Sequence, residues 1–422
     1  MSEPSLSRRY RDRFTALTGG ERASAEGLLP ATSAQRRFVL GAESTGRRIL
    51  VPYAFTLPAG ALTVAGLADR LAALVSRHAA LRCRVDYDDT GLVVQRELTD
   101  PTPPTTVVAV AGAREEAEAV RRVLAEARTA PDATPMRVAL LRGAEQDRLV
   151  LVFEHSVMDE MSLRLVAADL FAAEPAPRPP TDTWREYRDA VWQWLDSEVE
   201  AATEDAVGYW VDRLAPVAGV TSSGPATPDP VTAAVVDPAP VELPGPRVRA
   251  TLFPRLLAAA HQTLQAVEGG ASSVIYPWGM RPPELVGVVG CFMNTVFSGE
   301  MGAAWRWQDF SRACWLDFEH AHVPFDDVVL AVNRRTRTGW SGEARCLLGL
   351  EDLTTRPAFG PTDLVVDEWL PTWLVPKSPV NATARFDGAE LVLRVVADPV
   401  AFPSAGLFAE VWRERVSRQL AR

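Results

Sequence analysis

Four side chains able to accept or move protons fall within one stretch of seven residues: Glu154, His155, Asp159 and Glu160. An imidazole among carboxylates suits general acid–base chemistry, since its ordinary pKa lies near neutrality and a neighbouring carboxylate can hold the ring or raise its basicity. The flanking residues say how the group is carried. Residues 149–153 are apolar without a break, which suits a buried strand, while Leu163, Val166, Ala167 and Leu170 recur at helical spacing. A strand therefore runs into a helix, with Ser162 placed to cap the new helix. A turn at the end of a buried strand is held rigidly and can face a cleft. Taken alone, one His there still reads first as a partly buried, hydrogen-bonded residue and only second as a base.

Composition narrows the classes. At 422 residues the chain is long enough for two or three domains, because single cores rarely grow past roughly 250–300 residues. With 47% hydrophobic and 23% charged residues it reads as an ordinary globular chain rather than a disordered one. The 44 basic residues are outnumbered by 54 acidic ones and form no dense basic block, so nucleic acid is not an expected partner. The first 22 residues lack the apolar core of a signal peptide, and no run of about 18 apolar residues occurs, so neither a leader nor a membrane span is expected and a cytoplasmic protein is the default. Cys83, Cys291, Cys314 and Cys346 lie far apart without metal-type spacing and are expected as reduced, mostly buried thiols, with no metal.

The remaining elements follow from periodicity and turn chemistry. Helices are expected at 8–17, from Thr32 or Ser33 onward, and at 64–78, where Leu67, Leu71, Leu74 and Val75 share a face. Two strands around residues 88–91 form a hairpin signal. A charged helix at 113–128 precedes strands at 136–141 and 148–153. A helix at 184–201 carries Trp184, Tyr187, Val191, Leu195 and Val199 as a core stripe. The clearest break follows Leu214, where a proline-rich stretch reads as an extended connector. The expected division is therefore 1–214, a connector at 215–247, and a second lobe at 248–422. In that lobe helices are expected at 251–267, 305–320 and 404–421, a strand at 272–276, a strand or strand pair at 286–297, and a hairpin around Asp387 and Gly388.

Six stretches, in order, resemble the motifs of condensation domains of nonribosomal peptide synthetases, related to chloramphenicol acetyltransferase. Thr32-Ser-Ala-Gln-Arg-Arg-Phe38 resembles SxAQxRxW, and Arg77-His-Ala-Ala-Leu-Arg-Cys83 resembles RHxxLRT. Glu154-His-Ser-Val-Met-Asp-Glu160 stands where HHxxxDG is expected. Tyr187-Arg-Asp-Ala-Val-Trp192 is similar to YxDxAVW, Val289-Gly-Cys-Phe-Met-Asn-Thr295 to (I/V)GxFVNT, and His322-Val-Pro-Phe-Asp326 to the motif centred on VPFE. The resemblance implies a mixed α/β (α+β) fold of two chloramphenicol acetyltransferase-like lobes in a V, with a central active-site tunnel. It implies His155 as the functional imidazole beside the acceptor nucleophile, Glu154, Asp159, Glu160 and Asn294 as motif residues of the tunnel, and Asp159 as scaffold paired to an Arg. Arg281 is the first expected partner and Arg82 the second.

The same resemblance implies no cofactor bound directly, a substrate presented on the phosphopantetheine of a peptidyl or acyl carrier protein, a small-molecule or carrier-bound acceptor, and a monomer. The departures are Glu154 for the first His, Glu160 for the Gly, Cys83 for the Thr, and a seventh motif, RDxSRxPL, that is not recognisable in 333–348. Glu154 could hold the His155 ring or point away into the lobe, and a soluble cationic amine drawn by Glu154 and Glu160 would account for the altered motif. The expected function is a free-standing condensation-type acyltransferase of natural-product (antibiotic) assembly, forming an amide or ester from a carrier-bound thioester. The alternatives are a lapsed domain that recruits tailoring enzymes to a carrier-bound peptide and, third, cyclisation, dehydration or epimerisation in the same tunnel.

Overall fold

The computed structural model describes residues 4–20, 27–46, 48–129, 134–172, 183–218, 233–243, 245, 250–270, 272–299, 306–355, 367–369 and 376–421. The strand leading to His155 spans Gln146–Glu154 and lies at the centre of a five-stranded sheet. Leu50–Pro58 and Met136–Arg142 flank it antiparallel, and Thr105–Ala109 adds a parallel edge. Leu149, Leu151 and Phe153 face the main core, whereas Val150 and Val152 face a second layer formed by the helix Ala113–Thr129. A strand covered on both faces loses the polar alternation, which is why this one is a continuous apolar run. The stripe Leu67, Leu71, Leu74 and Val75 of the helix Val64–Arg77 closes the main core. The expected hairpin is formed by Cys83–Tyr87 and Val93–Glu97, extended by Leu28–Pro30.

A second sheet runs in the order Asn294–Ser298, Val274–Trp278, Cys346–Asp352, Val380–Phe386, Glu390–Ala397 and Ala234–Val236, with Val241–Glu242 also on Glu390–Ala397. Helices Leu252–Glu268 and Ala405–Leu420 cover it, and Trp412 is fully enclosed beneath them. Glu204–Ala218 buries Trp210, Leu214 and Ala218 in this second core. The change of core thus falls before that helix rather than after Leu214. Part of the proline-rich stretch pairs with the second sheet; residues 219–232, 244 and 246–249 lie outside the described residues, as does Trp305 at the start of the expected 305–320 helix, which is described as Trp307–Glu319. Leu50–Pro58, Thr105–Ala109, Cys346–Asp352 and the helix Phe325–Thr336 are further elements that periodicity did not signal.

Two features join the halves. The short strand Asp367–Trp369 leaves the second half to pair with Leu50–Pro58 of the first sheet. Residues 286–293, expected as strand, are loop; Leu285, Val289 and Phe292 insert into the first core, and the loop's amides bond to side chains of the first half instead of to a neighbouring strand. An ion pair and hydrogen bonds reinforce the junction: Arg36 reaches Asp326 at 2.8 Å, and Asp327 accepts from the Ser7 amide at 3.1 Å and hydroxyl at 2.6 Å.

In the second lobe His261 sits between Ser272 Oγ at 2.8 Å and Ser298 Oγ at 2.9 Å, and burial pushes its pKa down from 6.5 to about 3. The unfolded chain takes up this proton below about 6.5 and the folded chain does not until about 3, so the folded state loses stability as pH falls through that window. Urea titrations between pH 6 and 4 should show a fall of up to about 1.4 kcal/mol per pH unit from this group, and His261→Gln should remove that share of the slope.

Candidate active site

The 154–160 turn is built from backbone bonds and one buried ion pair. The His155 amide donates to Ile49 O at 2.9 Å and the Val157 amide to Glu154 O at 3.1 Å, which fixes the chain as it leaves the strand. The helix Glu160–Leu170 is capped by Asp159, whose Oδ1 accepts from the Ser162 amide at 3.0 Å. Ser162, the residue expected as cap, lies inside the helix instead. Its hydroxyl accepts from the Gly290 amide at 2.9 Å, tying the helix start to the 286–293 loop.

Asp159 carries more than the cap. Arg281 Nη2 lies 2.5 Å from both carboxylate oxygens, and the Phe292 amide donates to Oδ2 at 2.9 Å. The same guanidinium donates to Leu285 O at 3.1 Å and lies over the Phe292 ring, 5.0 Å from its centre. Both side chains are almost fully buried, and their charges are compensated by each other and by backbone dipoles. Arg82, the second expected partner, is spent elsewhere: it pairs with Glu97 and donates to Val75 O and Ser76 O. Gly290 is required here, because a Cβ would lie 2.5 Å from the Phe292 ring.

His155 is 8% exposed, and its ring stacks on Phe38 with centroids 4.4 Å apart at 20°. Nδ1 lies 2.9 Å from Met158 O. A carbonyl oxygen only accepts, so Nδ1 carries the hydrogen and Nε2 presents a lone pair. Among the described residues Nε2 has no hydrogen-bond partner. Burial, then the nearby Lys377 charge, pushes the imidazole down from 6.5 to about 3, so the ring is neutral at physiological pH.

Glu154 does not hold this ring. Its carboxylate forms an ion pair with Arg48 and lies 3.5 Å from Ser156 Oγ, and the orienting role falls to the Met158 carbonyl. Burial pushes the Glu154 carboxyl up and Arg48 opposes the shift. Glu160 is exposed at the first helical turn, 3.7 Å from Arg164, and interacts electrostatically with Lys377. A cleft lined by two uncompensated carboxylates is therefore absent, and the basis for a cationic acceptor goes with it. Asn294 is buried away from the turn: Nδ2 donates to Ala321 O at 2.8 Å and Val323 O at 2.6 Å, and Oδ1 accepts from the Phe325 amide at 3.1 Å, so it braces the VPFD segment.

The other motif stretches hold the turn from behind. Gln35 Nε2 donates to Ser156 O at 2.7 Å and to Gln95 Oε1 at 3.1 Å, and Tyr187 Oη donates to the same Gln95 oxygen at 2.6 Å. Residue spacing did not single out Phe38, Arg48 or Lys377. For Lys377 a signal existed, since it is the single lysine in the chain.

The arrangement, two mixed lobes with an oriented neutral imidazole at their junction, is that of the chloramphenicol acetyltransferase-like fold. Among solved structures it is similar to the X-domain in complex with OxyB from teicoplanin biosynthesis, at TM-score 0.69 and 18% identity over 94% of each chain. It is also similar to the first condensation domain of the CDA synthetase, at TM-score 0.67 and 18% identity over 93% of this chain and 95% of that one. The profile described as Condensation domain matches residues 25–232. Cyclosporin synthetase of Tolypocladium inflatum is 29% identical over 259 residues, 56% of this chain and 2% of that protein. Phosphinothricin tripeptide synthetase of Streptomyces viridochromogenes is 30% identical over 306 residues, 64% of this chain and 27% of that protein. Residues 25–232 and the matched synthetases support a condensation-type domain of nonribosomal peptide synthetases. It spans only a small part of the curated synthetases it matches.

Arg281→Ala leaves Asp159 buried without its cation and should cost about 3–5 kcal/mol in chemical denaturation, the range for breaking a buried pair. Arg82→Ala, which leaves that pair intact, should cost clearly less in the same experiment.

Proposed function

We propose that the chain is a condensation-type acyltransferase, joining an acyl or aminoacyl group carried as a thioester on the phosphopantetheine of a carrier protein to an amine or hydroxyl acceptor. The observation that carries this reading is the tautomer and aim of His155. Its Nδ1–H is tied to Met158 O, which leaves Nε2 as a fixed acceptor for the N–H or O–H of an attacking group. A group held this way has its lone pair directed at the thioester carbon, and orientation of that kind accounts for much of the advantage of a bound over a free nucleophile. Stacking on Phe38 keeps the ring from turning.

The neutral ring also limits its role. An imidazole whose pKa is about 3 accepts a hydrogen bond well but holds a full proton poorly at neutral pH. His155 therefore positions the nucleophile in this reading. Glu160 stands in place of the family glycine, and its carboxylate interacts with Arg164 and Lys377.

Mass spectrometry of acyl- and aminoacyl-loaded carrier proteins incubated with amines and alcohols should show amide or ester products that depend on this protein. His155→Ala should lower product formation by on the order of 10²–10⁴-fold while leaving the melting transition in place. Full activity in that variant would remove His155 from the mechanism; carrier binding without product from any pair would favour recruitment over catalysis.

A further inference from the structure

Three consecutive residues of the His155 turn are held by one stretch of the first half, residues 35–50. Ser156 O accepts from Gln35 Nε2 at 2.7 Å, and the His155 ring stacks on Phe38. The His155 amide donates to Ile49 O at 2.9 Å, Glu154 pairs with Leu50 across the sheet, and the Glu154 carboxylate forms an ion pair with Arg48. Gln35 and Phe38 lie on the helix Ser33–Thr45, which Gly46 caps in the left-handed conformation at φ 69°. Arg48 stands two residues further along, at the entry to the strand Leu50–Pro58.

Arg48 is in turn backed by the three-stranded sheet. Its Nη2 lies 3.9 Å from Asp86 Oδ2 on the strand Cys83–Tyr87, and that oxygen accepts from Arg84 Nη2 at 2.6 Å and Nε at 3.1 Å. Charges therefore alternate in the order Glu154, Arg48, Asp86, Arg84, from the end of the strand that carries His155 to the hairpin. The inner two are the enclosed ones: the side chains of Glu154 and Arg48 are 11% and 19% exposed, against 37% for Asp86. A pair open to water contributes little. This one is largely withdrawn from water, so removing either member leaves a costly charge behind. Among these contacts to the turn, the ion pair is the one that depends on the side chain at 154, where this chain has Glu and the motif a His.

We propose that the Glu154–Arg48 pair is a positioning device for His155, an inference that rests on the acyl-transfer reading above. The carboxylate does not touch the imidazole. It fastens the entry of the strand Leu50–Pro58 to the end of the strand Gln146–Glu154, and with it the Ile49 carbonyl that holds the His155 amide. A displacement of residues 48–50 moves the backbone of His155 directly, and the ring moves with its backbone while Phe38 stays on its own helix. The bond from Nδ1 to Met158 O and the overlap with Phe38 then change together, and Nε2 loses its fixed aim. Glu154 is therefore a specific partner for Arg48, and the histidine of the motif does not substitute for it. A neutral imidazole at 154 leaves Arg48 without its inner counter-charge, and a protonated one sets two cations side by side.

Glu154→Gln keeps the shape and removes the charge, and Glu154→His restores the motif. Both should lower kcat in the transfer assay by about 10- to 100-fold with KM little changed, the cost of a small misplacement of a reacting group. Arg48→Met should do the same, and the double variant Glu154→Gln/Arg48→Met should be no slower than either single one, because the pair acts as a unit. Activity of Glu154→His at or above wild type, or losses that multiply in the double variant, would overturn the proposal. A second readout needs no substrate. ¹⁵N NMR of the imidazoles, with His155 assigned from the His155→Gln variant, should show one Nδ1–H tautomer for His155 in the wild type. In Glu154→Gln, shown to be folded by its melting transition, the same ring should show mixed tautomers or broadened signals. His155 signals identical in the two proteins overturn the proposal; should Glu154→Gln not fold, Arg48→Met carries the same comparison. Absence of transfer by the wild-type protein defeats the acyl-transfer reading alone, since the tautomer comparison still decides whether the pair sets the ring.

Discussion

The contact on which the site depends is the buried pair between Asp159 and Arg281. One carboxylate caps the helix that follows the His155 turn, accepts the Phe292 amide from the second half and neutralises a guanidinium that gathers the carbonyls of 285–290. Few side chains in the protein serve so many distant segments at once. Because both charges are buried, neither can be lost without stranding the other. The His155 turn and the 286–293 loop are therefore a single unit, although more than a hundred residues separate them along the chain.

Above this pair lies a cleft in which charge is apportioned with care. Glu154, the residue at the place of a first histidine, is turned to Arg48 and withdrawn from the ring. Glu160 replaces a glycine and brings an exposed carboxylate, and that carboxylate interacts with the one lysine of the protein. The altered motif thus adds a salt-bridging environment rather than a net negative one. A neutral imidazole and an exposed carboxylate are a different set from a pair of adjacent histidines, and the chemistry has to be argued from that set.

Much of this was legible in the sequence. The strand into His155 declared itself because both its faces are covered, and the helix stripes declared themselves by spacing. The motif resemblance named Arg281 as the partner of Asp159, which the geometry displays. What was not legible depends on distant contacts. Residues 286–293 look like a strand because Val286, Val288, Val289 and Phe292 are apolar and β-branched or aromatic, yet the Gly290 and Phe292 amides are taken by Ser162 and Asp159. Glu154 looked adjacent to His155 and is so in the chain, but Glu154 ends the strand and pairs with Arg48, whereas His155 opens the turn and bonds Met158 O. Asn294 sat in a tunnel motif and braces the VPFD segment instead, and Lys377 lies far along the chain from every motif that marked the site.

The strand Asp367–Trp369 has a consequence for how the protein is made. The sheet that carries His155 gains its outer strand from a part of the chain synthesised more than two hundred residues later. During synthesis Leu50–Pro58 therefore waits with one edge unpaired, a surface open to wrong partners until nearly the whole chain has left the ribosome. The cleft is completed last, so a truncated or stalled chain has the imidazole but lacks the lobe that closes over it.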